Sequence, residues 1–191
     1  MYALAAAMEA RDPCTEAHTH RVARFARRIG RRMGLPHEAQ VALYRGGVLH
    51  DIGKIGIPDE VLLKPGELDS REQAAIQRHP IIGEQIAARL DSAAELLPMI
   101  RHHHERYDGT GYPDGLAGEQ IPLLARILSA CDAYDALTND RPYRKRLSTS
   151  AALTVLRGGA DRQWDPRVVS SIVDEIEGGR GQRWVKASEA V

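Results

Sequence analysis

Apolar residues recur along this chain with the period of an α-helix almost throughout. An early face with the spacing i, i+4, i+7 and i+11 consists of His18, Val22, Phe25 and Ile29. Further helices are predicted at about residues 38–51 and 123–137, and a last one begins at Asp165-Pro166, where an N-cap precedes a proline. No alternating, strand-like pattern of useful length occurs. The chain is therefore predicted to fold as an all-α, compact helical bundle.

Capping and turn signals separate these helices. Asp69 followed by Glu72 predicts a capping box at the start of one helix. Pro80 is expected to break or kink that helix just after His79. Residues 108–120 are rich in glycine and contain successive turn signals.

Length and charge agree with a single domain. The chain has 191 residues, with 26 Lys and Arg against 26 Asp and Glu, so its formal net charge is zero. A domain over residues 1–177 with a tail over 178–191 fits this length. Balanced charge argues against a nucleic-acid polymer or an acidic membrane surface as a partner, because both attract a basic excess. No apolar run approaches the roughly 20 residues that a transmembrane helix needs, so no membrane partner is expected.

Cysteine usage indicates the cellular compartment. Cys14 and Cys131 are the only cysteines, which is too few for a disulfide framework. A reducing compartment, and hence a cytoplasmic location, is expected. The apolar opening of the chain lacks the basic start of a secretion signal, which agrees with that location.

Polar residues occupy positions where the helical pattern expects core residues. Five separate segments each direct histidine or aspartate toward the interior, and they contain His18, His50-Asp51, His79, His103-His104 and Asp132 with Asp135. Each segment has a simpler explanation when it is taken alone. His18 could be a hydrogen-bonded core histidine, and His50 could complement a helix dipole beside an ion-paired Asp51. Residues 102–105 could be a solvated helix end.

Together the five segments favour one shared cation site. A buried carboxylate is costly unless it is paired or binds a metal, and the sequence offers no comparable supply of buried Lys or Arg. Imidazole and carboxylate ligands without thiolate suit iron, manganese, nickel or catalytic zinc. A carboxylate such as Asp51 can bridge two cations, and cation pairs about 4 Å apart are a recurrent device for hydrolysing phosphate esters.

The motifs along the chain resemble those of the HD-GYP domain, a branch of the HD superfamily of metal-dependent phosphohydrolases. The resemblance extends from about Glu9 to Val173. It is carried in order by His50-Asp51-Ile52-Gly53-Lys54, His79-Pro80, His103-His104-Glu105, Asp108-Gly109-Thr110-Gly111-Tyr112-Pro113, Asp132-Ala133-Tyr134-Asp135 and Arg141-Pro142-Tyr143-Arg144. An isolated His-Asp pair would be weak evidence, whereas this ordered series is specific to the branch.

The resemblance implies an activity and a set of site residues. It implies an HD-type helical fold with a central site for two or three metal ions, often iron or manganese. It also implies hydrolysis of the bacterial second messenger cyclic di-GMP to pGpG, and in some members on to GMP. The implied metal ligands are His18, His50, Asp51, His79, His103, His104 and Asp132, with Asp51 bridging the ions and acting in catalysis. Lys54 is implied in catalysis and, with Arg141 and Arg144, in contacts to substrate phosphates, and Tyr112 lies in a loop near the substrate or a partner protein.

Some positions depart from the family pattern or leave alternatives open. Cys14 stands where members with three metals have a glutamate, so two metals are expected. Glu105 is expected to orient a ligand imidazole, while the glycines around Tyr112 could serve only to shape their loop. A diguanylate cyclase of the GGDEF class, or an upstream sensor or receiver domain, is the expected protein partner. The alternatives to the phosphodiesterase are a module that senses cyclic di-GMP or docks a partner with little turnover, and an HD hydrolase of another cyclic nucleotide.

Overall fold

The computed structural model describes residues 16–91, 93–140 and 145–180. In these ranges the chain is helical, and its only strand-like pairings are two isolated β-bridges. The α-helices are α1 (Glu16–Arg32), α2 (His37–Leu49), α3 (Asp59–Leu62), α4 (Ser70–Ile76), α5 (His79–Ala87), α6 (Leu97–His102), α7 (Leu123–Thr138), α8 (Thr149–Gly159) and α9 (Pro166–Glu175). Short 3₁₀ helices cover Ile52–Gly56, Ala94–Leu96 and Gly118–Gln120. The predicted all-α fold is confirmed.

The core is built where one apolar face from each of the longer helices meets its neighbours. Its fully buried side chains include Phe25 of α1, Leu43 of α2, Met99 of α6, Leu128 of α7, Leu156 of α8 and Ile172 of α9. By contrast, α3 and α4 contain no buried residue. The apolar core is therefore built by α1, α2 and α5–α9, with α3 and α4 on its outside.

Close backbone contact brings α1 and α2 together near their polar ends. A Cβ atom at Gly47 would fall 2.6 Å from the Cα atom of Ala23. Only glycine fits at such a contact, because any side chain would force the two helices apart. As a result His18 on α1 and His50 after α2 have ring centroids only 5.8 Å apart.

The turn after α2 is packed just as closely against α5. A Cβ atom at Gly53 would overlap the carbonyl group of His79 and the amide of Gly83. The 3₁₀ helix that begins after Asp51 therefore lies directly on the first turns of α5. This contact brings Asp51 and His79 to the same place although they are far apart in sequence.

The prediction for Pro80 is wrong in its placement. Helix α4 already ends at Ile76, and Pro80 lies in the first turn of the next helix, α5. A proline is tolerated there because the amide that it lacks would have no partner within the helix. The predicted capping box is confirmed: the Asp69 side chain accepts a bond from the Glu72 amide, and the Glu72 carboxylate accepts one from the Asp69 amide.

The described chain ends in a single π-helical turn, Ile176–Arg180, directly after α9. The domain boundary that the sequence places at residue 177 stays a prediction. Across the described ranges, the helices are too short or too polar to span a lipid bilayer.

Candidate metal centre

The five polar segments meet in the interior of the bundle. His18 lies near the start of α1, His50 and Asp51 follow α2, and His79 opens α5. His103 and His104 follow α6, and Asp132 lies in α7. His18, His50, Asp51, His79 and His103 are buried. The predicted ligands are therefore brought together by five elements that are separated in the chain.

Asp51 lies between two groups of ligand atoms. One group is formed by Asp51, His79, His103 and His104, and the other by His18, His50 and Asp51. Within each group the ligand atoms lie within 4.8 Å of one another. The Oδ1 atom of Asp51 is 3.3 Å from Nε2 of His79, and Oδ2 is 3.5 Å from Nε2 of His50. One carboxylate thus faces both groups, as its predicted bridging role requires.

Three of the histidine rings are oriented by their own backbone. Nδ1 of His50, His79 and His103 lies 2.8, 2.8 and 2.7 Å from the carbonyl oxygens of Gly47, Ile76 and Ile100, each three residues earlier. A carbonyl oxygen can only accept, so each Nδ1 carries the hydrogen. In a neutral ring this leaves Nε2 with a free lone pair directed into the centre.

Burial keeps the rings of His79, His103 and His104 neutral. It lowers the pKa of His103 well below the usual value, and the neighbouring His104 lowers it further. Burial also lowers the pKa of His79, more than Asp51 raises it, and it lowers the pKa of His104 to about 4. Neutral imidazole is the form that binds a metal ion.

The facing lone pairs show that the centre fits a cation. Nε2 of His79 lies 3.3 Å from Nε2 of His103 and 3.3 Å from Oδ1 of Asp51. Because both Nδ1 atoms hold their hydrogens on backbone carbonyls, no hydrogen is left between these three acceptor atoms. A divalent cation with imidazole and carboxylate ligands removes this repulsion.

His18 is held differently, between two carboxylates of α7. Its Nε2 lies 3.1 Å from Oδ1 of Asp132, and its Nδ1 lies 2.7 Å from Oδ2 of Asp135. Burial lowers the pKa of His18, but the bonds to the two carboxylates outweigh it and raise the pKa to about 9. Burial likewise raises the pKa of Asp132, and His18 lowers it by more, so Asp132 is ionised.

Lys54 places a positive charge at the edge of the centre. Its Nζ atom is 2.6 Å from Oδ2 of Asp51. Burial raises the pKa of Asp51, but Lys54 and the surrounding histidines lower it well below the usual value. Asp51 is therefore an anion and Lys54 a cation at the same site. The other two predicted phosphate contacts, Arg141 and Arg144, lie outside the described residues, as does Cys14.

Tyr112 forms an aromatic surface over one side of the centre. Its ring stacks on the His104 ring, with centroids 4.9 Å apart and planes at 24°. Burial raises the pKa of Tyr112, so the phenol stays protonated. Gly109 and Gly115 of the same loop have positive φ angles of 79° and 68°, as the turn signals predict.

The sequence of the chain matches a known family. A family model described as HD domain covers residues 3–168 of the chain. The chain belongs to the HD domain family. The family relationship that the ordered motifs predict is thereby confirmed.

Curated relatives of this HD domain are phosphodiesterases by name. The cyclic di-GMP phosphodiesterase response regulator RpfG of Xanthomonas campestris pv. campestris is 42% identical over 174 residues, which cover 89% of this chain and 46% of RpfG. The 3'3'-cGAMP-specific phosphodiesterase 3 of Vibrio cholerae is 37% identical over 165 residues, which cover 86% of this chain and 36% of that protein. The chain thus spans less than half the length of these relatives.

A solved structure has the same fold. The crystal structure of the cyclic GMP-AMP specific phosphodiesterase V-cGAP3 of Vibrio cholerae superposes with a TM-score of 0.67 at 21% identity. The superposition covers 85% of this chain and 44% of V-cGAP3. At this level of identity the match supports the HD fold alone.

The sequence predicts that Glu105 orients a ligand imidazole. This is wrong for His50, His79 and His103, because their Nδ1 atoms bond backbone carbonyls. Glu105 is buried, and its Oε1 atom accepts bonds from the amides of Asp114 and Gly115 at 2.7 and 3.1 Å. It therefore anchors the glycine-rich loop that carries Tyr112. Among the described residues its Oε2 atom has no hydrogen-bond partner.

Asp135 and Arg21 are the site residues that sequence reasoning missed. The sequence places Asp135 with Asp132 among the polar residues directed inward, but neither residue pattern nor resemblance predicts that it contacts His18. In this HD domain Asp135 bonds His18 directly, and Arg21 bonds Asp135 through both Nε and Nη2. His102, which was not predicted as a ligand, bonds Asp114 on the outside of the centre.

Proposed function

We propose that this HD domain is a metal-dependent phosphodiesterase that hydrolyses cyclic di-GMP to pGpG in bacterial second-messenger signalling. The observation that carries the proposal is the convergence of Nε2 atoms on Asp51, with His79 Nε2 at 3.3 Å from both His103 Nε2 and Asp51 Oδ1. The names of the relatives support the same substrate class.

Two divalent cations are proposed for the centre, with iron or manganese as the ions. His79, His103 and His104 would hold one, His18, His50 and Asp132 would hold the other, and Asp51 would contact both. When bound, such ions lower the pKa of a coordinated water and neutralise charge on the phosphoryl oxygens. The donor set supports this assignment because it combines imidazole and carboxylate without thiolate.

Lys54 is proposed to stabilise the negative charge that develops on the phosphate. Its Nζ already lies 2.6 Å from the Asp51 carboxylate, so its charge is held at the edge of the proposed metal centre. A positive charge held in place before the reaction requires no reorganisation during it. Arg141 and Arg144 are proposed to bind the same phosphates through planar guanidinium groups.

Tyr112 is proposed to contact a substrate base. Its ring is stacked on His104 and partly exposed, so part of its aromatic surface is open beside the proposed cations. Bases stack on aromatic side chains with little regard to their identity. This surface therefore suits a cyclic dinucleotide without specifying which bases it contains.

A second substrate is proposed because of one specific observation. The relative at 37% identity is named for 3'3'-cGAMP, and the cyclic di-GMP relative at 42% identity is not much closer. Both substrates share the 3'-5' phosphodiester linkage on which the centre would act. A side-by-side competition between cyclic di-GMP and 3'3'-cGAMP tests the preference, with cyclic di-GMP expected to be cleaved faster.

The decisive experiment combines a chromatographic assay for pGpG with variants of the centre. His50→Ala and Asp51→Asn are expected to reduce metal-dependent turnover to background while circular dichroism shows intact helices. His37→Ala is the matched control, because His37 is an exposed histidine at the start of α2. Unchanged hydrolysis in either centre variant would contradict the proposal. Binding of cyclic di-GMP by the wild type without turnover would instead favour the sensing module.

The setting of the enzyme is also part of the proposal. A cytoplasmic location follows from the sequence prediction of a reducing compartment, and Cys131 is a free, buried thiol. A GGDEF-class cyclase or a sensor or receiver domain is proposed as the partner. Pull-down with a purified GGDEF domain tests the first of these partners.

A further inference from the structure

The carboxylate of Asp135 is fully occupied by hydrogen bonds. Oδ2 accepts from Nδ1 of His18 at 2.7 Å and from Nη2 of Arg21 at 2.9 Å. Oδ1 accepts from Nε of Arg21 at 2.7 Å and from Nδ2 of Asn139 at 3.0 Å. Four donors on two oxygens use all the accepting positions of an ionised carboxylate. Asp135 is 1% exposed, so its orientation is determined by these bonds.

This arrangement also determines the orientation of the His18 ring. Asp132 and Asp135 are three residues apart on α7, so they project from one face of the helix. One carboxylate meets Nε2 of His18 and the other meets Nδ1. The hydrogen on Nδ1 is held by Asp135, and Nε2 is directed toward Asp132 and the centre.

His18 differs in this respect from three other histidines of the centre. His50, His79 and His103 use backbone carbonyls as the partners of Nδ1. A carbonyl is neutral, whereas Asp135 is an anion. A carboxylate partner raises the basicity of the opposite ring nitrogen, and such partners typically change metal affinity about 10- to 100-fold.

We propose that Asp135, anchored by Arg21, is a positioning residue that controls cation binding at the group of His18, His50 and Asp51. The group of Asp51, His79, His103 and His104 does not depend on it. The two cation sites are therefore unequal, and their occupancies can be separated by mutation. This inference rests on the proposed metal-dependent function.

The test is a titration of the chelator-treated full chain with Mn²⁺, followed by electron paramagnetic resonance of the free ion. The wild type is expected to bind two Mn²⁺. Asp135→Asn is expected to weaken one of the two sites about 10- to 100-fold and to leave the other unchanged. The asparagine keeps the shape of the side chain but offers one oxygen to the four donors.

Glu175→Gln is the matched control. Glu175 is a buried carboxylate that also joins α1 to another helix through two arginines, Arg28 and Arg32. Its substitution should cost comparable stability and leave both Mn²⁺ affinities unchanged. Arg21→Gln provides a second variant, which keeps the Asp135–His18 bond, loosens its anchor, and should weaken the same site less than Asp135→Asn does.

A double-mutant cycle tests whether Asp135 acts through His18. His18→Ala should weaken the same site, and adding Asp135→Asn to it should cause no further loss. If the wild type binds two Mn²⁺ and both sites keep full affinity in Asp135→Asn and Arg21→Gln, the role proposed for Asp135 is overturned. The proposed metal centre would not be affected by that result. A wild type that binds no Mn²⁺ would overturn the metal centre itself, and this inference with it.

Discussion

His50, His79 and His103 are oriented by the same local device, a bond from Nδ1 to the carbonyl three residues earlier. The device needs only a helix or helical turn that ends near the histidine, so it belongs to the residue and its immediate neighbours. As a consequence, each Nε2 atom is left with a free lone pair that can bind a cation. Several such lone pairs in one buried space make the metal-free centre electrostatically unfavourable.

His104 should make the metal-free protein sensitive to acid. Its pKa in the folded chain is lowered from 6.5 to about 4, first by burial and then by His79. Between pH 6.5 and 4 the His104 side chain is therefore protonated in the unfolded chain and neutral in the folded chain. The free energy of unfolding should fall as the pH falls from 6.5 to 4, with a slope of up to ~1.4 kcal/mol per pH unit from this group. Urea unfolding in the presence of chelator measures it.

His104→Gln is the variant that isolates this effect. Glutamine does not titrate, so the slope of unfolding free energy between pH 6.5 and 4 should be smaller than in the wild type. His37→Ala, at an exposed histidine, is the control for the loss of an imidazole outside the centre. An identical slope in wild type and His104→Gln would show that His104 is not held neutral by the fold.

Lys54 should matter for turnover and not for metal content. Lys54→Ala removes a positive charge held beside Asp51, and we expect kcat to fall about 10²- to 10³-fold, as for other preorganised charge stabilisers. Mn²⁺ content should stay at two per chain, because Lys54 donates no ligand atom. Steady-state kinetics with saturating Mn²⁺ measures the effect.

Lys64→Ala is the control for this prediction. Lys64 also forms an ion pair, with Glu72, but on the outer surface beside α4. Its substitution should leave kcat unchanged. A Lys54→Ala variant with wild-type kcat would contradict the role proposed for Lys54.

At the scale of elements, the start of α9 combines a cap with a buried ion pair. The Asp165 side chain accepts a bond from the Arg167 amide and also pairs with Arg126 of α7. Asp165 is 1% exposed and Arg126 is 8% exposed. Asp165→Ala would leave Arg126 buried without this partner. We expect the free energy of unfolding to fall by about 3–5 kcal/mol.

Ser148→Ala gives the matching value for a cap alone. Ser148 is the N-cap of α8, where its hydroxyl accepts a bond from the Ala151 amide on an exposed surface. Its loss should cost about 1 kcal/mol. Chemical denaturation of both variants measures the difference, and equal losses would show that the Asp165–Arg126 pair adds nothing.

Much of the element order is predictable from the sequence, and the error at Pro80 shows why the rest is not. The capping box at Asp69 is a local pattern, so it can be identified without the fold. Whether Pro80 ends one helix or begins the next depends on the end of α4 at Ile76, which no turn residue marks. The close packing of Gly53 against the first turns of α5 is likewise visible only in the fold.

At the scale of the whole molecule, the centre exists only when the bundle is assembled. Its proposed ligands come from residues as distant as His18 and Asp132 and meet through the packing of α1, α2, α5, α6 and α7. A cation that binds this assembled set and not the unfolded chain stabilises the fold. The net charge of zero says nothing about affinity for an anionic substrate, because the substrate would be attracted by bound cations that composition does not count.

The five polar segments were predictable because they bring polar residues to positions where the helical pattern expects core residues, and the proposed ligand set was implied by the family resemblance. The orientation of each ring was not, because it depends on which neighbour meets Nδ1. Asp132 and Asp135 illustrate this limit: their spacing places both on one face of α7. Only the crossing of α1 and α7 determines that Asp132 meets Nε2 of His18 and Asp135 meets Nδ1.

The central claim is that a cation bound among these residues is required for hydrolysis of a cyclic dinucleotide. The most direct measurement is cyclic di-GMP turnover by the anaerobically purified chain, before chelation, after chelation and after addition of Mn²⁺. A metal-dependent centre predicts formation of pGpG before chelation, its loss in the chelated protein and its recovery when two Mn²⁺ per chain are restored. Turnover at an undiminished rate in the metal-free protein would contradict it.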